Sequence, residues 1–156
     1  MLFLPMQPII LNLEKIIHNY ERRLAAVPEA VYTEKPGPEK WSKKETLGHL
    51  VDSAQNNIRR FIVAQYEDGP TIGYAQDAWV ACANYQGYPT GDLLSLWALL
   101  NRHIVVILRQ MSPAAAQRMC SMGGQPQSLE WVAADYCNHL LHHLHQILDL
   151  EPIAYP

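Results

Sequence analysis

The chain has 156 residues, is 49% hydrophobic and 17% charged, and carries a net charge of −3 at pH 7. That length suits a single domain, 1–156, with a core large enough to stand without disulfides or a structural metal, so any metal it holds serves function rather than folding. The slight acidity provides no basic field for nucleic acid or an anionic membrane surface, and no apolar run approaches bilayer-spanning length.

The opening Met1-Leu2-Phe3-Leu4-Pro5 is apolar but too short for a signal segment and lacks a basic start, which points to a cytoplasmic protein. The first helix is predicted from about Ile9 to Val27, where Leu13, Ile16, Ile17, Tyr20 and Leu24 recur at three and four and Pro28 stops the run. After Lys35-Pro36-Gly37-Pro38, Ser42 and Glu45 form a capping box. The second helix should therefore run from Ser42 to about Tyr66, with Leu47, Leu50, Ala54, Ile58, Phe61 and Ile62 facing the core. Glu67 to Thr90 is long for a connection in a helix bundle, and Tyr74 to Ala83 is a candidate short helix within it. The third helix follows Pro89 with Leu93, Leu96, Trp97, Leu100, Ile104, Ile107 and Met111 in one stripe, and Ser112-Pro113 starts an extra turn. The fourth begins near Ser128, ends before Pro152, and carries Leu129, Val132, Tyr136, Leu140, Leu144 and Ile147. There is almost no strand signal. Four amphipathic helices of this length bury their stripes against each other, which gives an all-α four-helix bundle with a long connection between helices 2 and 3.

Four of the seven histidines fall in His139-Leu140-Leu141-His142-His143-Leu144-His145. At about 100° per residue, His139 and His143 sit on the shoulder of the fourth helix's core face, whereas His142 and His145 point away as bystanders. Imidazoles four apart can grip one borderline metal ion, or serve only as hydrogen-bonded polar groups at the edge of the core. A third ligand must come from elsewhere. On the second helix His49, Ser53, Asn56 and Arg60 form a polar stripe edged by Asp52 and Asn57, which for its later members reads as a solvated face. His49 differs, lying near the helix start between Leu47 and Leu50, where it can reach a neighbouring helix. Asp52 and Asp135 each lie one turn from a histidine and are candidates to orient an imidazole, bind metal or act as base, with Ser53 and Arg60 as further candidates. His18 reads as a surface residue and His103 as packing. The four tryptophans, Trp41, Trp79, Trp97 and Trp131, read as core or helix-end packing, and Cys82, Cys120 and Cys137 as reduced packing thiols.

Other chemistry is missing from the sequence. Leu140 stands where a zinc protease of the HExxH type needs Glu, and no P-loop, GxGxxG, nucleophile elbow or paired Glu-x-x-His motif occurs.

The run from Lys40 through Trp41, Ser42, Glu45, Leu47, Gly48, His49 and Ser53, followed by Asn57 and Arg60, resembles the second-helix signature of the DinB/YfiT-like superfamily. The stretch from His139 to Ile147 resembles that family's His-x-x-x-His helix, and Gln76 to Trp79 and Gly123-Gly124 also fit, so the likeness covers essentially the whole chain. The resemblance implies up-down-down-up connectivity and one divalent metal held, by position, by His49, His139 and His143. It also implies a homodimer and the activity of a metal-dependent hydrolase or of a transferase using a low-molecular-weight thiol such as bacillithiol or mycothiol. Three neutral imidazoles leave a coordination position open for water or substrate, and would take zinc or nickel foremost, with iron and manganese also accepted. The expected partner is a small-molecule substrate, not nucleic acid or membrane. The alternative is a non-catalytic bundle that binds metal or a ligand, since the sequence offers no assured base or nucleophile.

Overall fold

A computed structural model describes residues 6–156, so the reading of Met1 to Pro5 lies outside the described residues. Four long helices, α1 (Met6–Ala25), α3 (Lys43–Val63), α5 (Thr90–Gln110) and α7 (Leu129–Ile147), pack into a bundle. Between them lie α2 (Glu29–Thr33), α4 (Gln76–Ala83), a 3-10 turn (Tyr85–Gly87), α6 (Pro113–Ala116), and an antiparallel pair of two-residue strands, β1 (Met119–Cys120) and β2 (Gln127–Ser128). The helix-only expectation missed α2 and the strand pair, both too short to leave a periodic signal.

The capping box at Ser42 forms: its hydroxyl accepts from Glu45 N at 3.1 Å and Glu45 Oε2 accepts from Ser42 N at 2.8 Å. Ser128 caps α7 through its hydroxyl alone, accepting from Trp131 N at 3.1 Å.

Cross-helix contacts fix the directions. Glu21–Arg102 and Glu14–Arg109 run α1 against α5. Tyr20 meets His145 at 2.8 Å while Cys137 lies against the Ile9 carbonyl, so α1 and α7 are parallel. Lys43–Asp149 at one end and Ser53–His139 further along set α3 against α7. Lys44 and Thr90 both reach the Glu29 carboxylate, which places the starts of α3 and α5 together and makes those helices parallel. The connectivity is up-down-down-up, and the 64–89 connection carries the chain back along the bundle between the two parallel helices.

Leu13, Leu24, Leu50, Phe61, Trp97 and Leu140 are fully buried at the centre, each stabilising the fold by roughly 1.5–3 kcal/mol. Several expectations change here. Ile62, Trp131 and His103 are exposed rather than packed, because the bundle turns these helix flanks outward, and Trp79 and Cys82 are exposed on the short helix α4. His18 is exposed as expected, and Cys120 and Cys137 are buried free thiols. Contrary to the sequence reading, α5 is long and apolar enough to cross a membrane, although its Leu93, Trp97 and Ile104 are buried in the bundle. The largest correction concerns α3. Asp52, Ser53, Asn56, Asn57 and Arg60 are all buried, not solvated, because the 64–89 connection and the C-terminal residues fold over that face.

Candidate metal centre

Two caps set the heights of the histidines. Ser42 starts α3 so that His49 lies two turns in, and Ser128 starts α7 so that His139 and His143 face it across the antiparallel pair. His49 Nε2 and His139 Nε2 stand 3.0 Å apart. The three ring centroids are 5.0, 4.8 and 4.7 Å apart, each pair edge-on at 77°. One ligand nitrogen from each ring fits within a sphere of contacts no wider than 4.8 Å. Imidazoles bound tetrahedrally at about 2.0–2.1 Å would place their nitrogens roughly 3.3 Å apart, so the donor set fits a single divalent ion.

Electrostatics keep the rings in the ligand form. Burial pulls His49 down to about 4, helped by His143 nearby. Burial pulls His139 to about 2, with further contributions from His143, His49, His142 and Arg60. His143 is lowered chiefly by burial, with Gln146 acting the other way. Neutral imidazole offers a lone pair at neutral pH, as metal binding requires.

The other ring nitrogen of each ligand candidate differs in its support. His143 Nδ1 donates to Gln146 Oε1 at 2.7 Å, which turns its Nε2 lone pair toward the cluster. His139 Nδ1 meets Ser53 Oγ at 3.3 Å. His49 Nδ1 is buried with no partner, and the Trp41 ring lies 5.0 Å from its ring. Asp52 serves none of these histidines. Its Oδ1 accepts from the Tyr85 hydroxyl, its Oδ2 has no partner, and burial raises its carboxyl to about 6 against the lowering effect of Tyr85. Tyr85 can lie there only because residue 48 is glycine: a Cβ at Gly48 would stand 2.1 Å from the ring.

His142 and His145 are not idle. His142 Nδ1 donates to the Ile153 carbonyl and accepts from the Gln146 amide at Nε2, at 2.9 Å. His145 Nδ1 donates to Glu151 O at 2.7 Å and its Nε2 accepts from Tyr20. They hold the C-terminal residues back along α7, so that Tyr155 packs on His139 with centroids 5.3 Å apart and donates to Asp135 Oδ2 at 2.7 Å.

A cavity of about 180 Å³ opens beside His139, with Asn57, Arg60, Tyr74, Asp135 and Tyr155 among its walls. Ser53 also faces it. Arg60 donates from Nε to Ile72 O at 2.9 Å and from Nη1 to Asn57 Oδ1 at 3.3 Å, and burial works against its charge. Sequence reasoning gives no role to Gln146, Tyr74, Tyr85 or Tyr155. Gln146 stands three residues after His143 and was discoverable from helical spacing; the tyrosines come from distant segments and gave no local signal.

The sequence matches the DinB superfamily over residues 12–147. No curated protein matches it. Among solved structures it is similar to YfiT from Bacillus subtilis, described as a probable metal-dependent hydrolase with an unusual four-helix bundle topology, at 20% identity and a TM-score of 0.85 over 96% of this chain and 87% of that one. It is also similar to the mycothiol-dependent maleylpyruvate isomerase, at 15% identity and a TM-score of 0.77 over 97% of this chain, and spans 62% of that longer protein. A histidine-to-alanine variant of the isomerase gives 16% identity and a TM-score of 0.78, covering 96% of this chain and 62% of the variant.

Proposed function

This chain belongs to the DinB superfamily, and from that premise we propose that it is a mononuclear metal-dependent enzyme, a hydrolase or a low-molecular-weight-thiol transferase. The observation that carries the reading is the convergence of His49, His139 and His143 from two helices on one point, with His139 also lining a cavity. The three Nε2 atoms would hold one divalent ion, zinc or nickel foremost. When bound, such an ion lowers the pKa of a water or a thiol and polarises an adjacent substrate oxygen.

The chain's own groups have separate tasks. Gln146 and Ser53 orient His143 and His139 by accepting their Nδ1 protons. Asp135, on the cavity wall, is placed to take a proton from a nucleophile there, with the Tyr155 hydroxyl steadying its carboxylate. None of the three cysteines is among the residues lining the cavity, so thiol transfer here uses the thiol of a cosubstrate. The description of YfiT supports metal-dependent hydrolysis, and that of the mycothiol-dependent isomerase supports the use of a low-molecular-weight thiol.

Element-resolved metal analysis on untagged protein tests the reading. About one divalent ion per chain is expected, and its loss in His143→Ala. Equal metal content in both proteins would sink the assignment. Metal-loaded protein is then screened with esters, amides, epoxides and thiol acceptors; turnover abolished by His49→Ala while the fold survives separates an enzyme from a non-catalytic binding bundle.

A further inference from the structure

Arg60 is a buried cation that forms no ion pair, though the charge of Asp135 on the same cavity wall favours its protonated form. It is 6% exposed, and among the described residues no carboxylate lies within ion-pairing distance of it. The other buried cation, Lys44, is paired with Glu29 at 2.8 Å. Arginine is rarely buried unless paired, because removing a charge from water is costly. Of its five N–H donors, the Nε and one Nη1 proton are used on Ile72 and Asn57, and Nη2 has no protein partner among the described residues. Its guanidinium carbon lies 6.0 Å from the Tyr74 ring centroid, and the residue forms part of the wall of the cavity beside His139. The one acid on that wall, Asp135, is engaged by Tyr155.

We propose that this cavity takes a small carboxylate-bearing molecule and that Arg60 is the anchor for its carboxylate. A planar guanidinium with a free edge matches a carboxylate in geometry as well as in charge. The cavity, at about 180 Å³, lies below the 300–1,000 Å³ typical of drug-sized ligands, which selects a small acid. One carboxylate brings a single negative charge to Arg60 and leaves any second carboxylate of the molecule at the histidine end, whereas a phosphate would concentrate two charges at the Arg60 end of a wall that also carries Asp135. The assignment names the substrate class of the proposed enzyme and rests on that reading only for what happens at the histidine end of the molecule.

The test is calorimetric titration of succinate and of its neutral analogue succinamide into the full chain, both metal-free and zinc-loaded. Succinate should bind about tenfold or more tighter than succinamide in both forms. In Arg60→Gln that preference should vanish in the metal-free form, with the zinc content of loaded protein unchanged. Equal binding of succinate and succinamide by the metal-free wild type overturns the proposal without needing any variant. So does a preference that survives in folded Arg60→Gln, or methyl phosphate binding tighter than succinate. Should the protein take up no metal yet prefer succinate through Arg60, the carboxylate assignment stands and the metal-enzyme reading falls.

Discussion

Gln146 supports His143 from one turn further along α7: its Oε1 accepts the Nδ1 proton at 2.7 Å, leaving Nε2 as the free donor atom. Support of this kind fixes the tautomer and makes the ring a better ligand. Gln146→Leu should weaken zinc binding about tenfold to a hundredfold, and Gln146→Glu should retain or strengthen it. Competition against a chromophoric chelator reads both. Unchanged affinity in Gln146→Leu would make the contact incidental.

Acid should destabilise the metal-free protein. An ordinary imidazole takes up its proton near 6.5, but folded His49 and His139 refuse it until about 4 and about 2. Between 6.5 and about 4 the unfolded chain therefore binds more protons than the folded one, and stability falls as pH falls. Asp52 has the opposite sign. Raised from 3.8 to about 6, it binds its proton first in the folded state and favours folding as pH drops through that window. Two histidines outweigh one aspartate, so the melting temperature in chelator should be lower at pH 5 than at pH 7. Asp52→Asn should raise stability at pH 7 and steepen the loss. A flat profile would contradict the burial of both rings.

Gly48→Ala should destabilise the fold even though alanine is the better helix former by about 1 kcal/mol. The new Cβ would overlap the Tyr85 ring at 2.1 Å. Overpacking costs about 1–3 kcal/mol, and a displaced Tyr85 leaves the Asp52 carboxylate without its donor at a similar cost. Urea titration of Gly48→Ala, Tyr85→Ala and the double variant measures the coupling. Strictly additive losses would show that the ring does not depend on the glycine.

Ending the chain after Leu150 removes Glu151, Ile153 and Tyr155 together. The bundle core does not include them, so cooperative unfolding should persist. The wall over His139 is lost, and release of zinc to a chelator should become several-fold faster. Tyr155→Phe, which keeps the ring and removes only the bond to Asp135, should behave nearer to wild type. Equal release rates in the full and shortened chains would make the tail irrelevant to the site.

What the sequence displayed, and what it concealed, follows from the range of the interactions. Ser42 with Glu45, the stripe Leu93–Trp97–Ile104 and the spacing of His139 with His143 are set by neighbours within one or two turns, so periodicity reveals them. The burial of Asn57 and Arg60 is set by Ile72 and Tyr74, held in place where Ile72 N donates to Ser121 O at 2.8 Å and Arg118 Nε to Ala64 O at 2.6 Å. A polar stripe looks the same whether water or a distant loop covers it. The roles of His142 and His145 are hidden for the same reason: the carbonyls that occupy them come from beyond the end of α7.

The parallel pairing of α3 and α5 has a consequence for how such a protein can change. It obliges the chain to return along the bundle, and the returning segment roofs one side of the cavity while the C-terminal residues wall another. The three imidazoles stand on two mutually braced helices, and the C-terminal covering meets them where Tyr155 packs on His139. Substitutions, insertions or a different tail can therefore remodel what the cavity admits while leaving the histidine cage in register. Such a scaffold can acquire new substrates by redrafting its connections, with its reactive centre inherited intact.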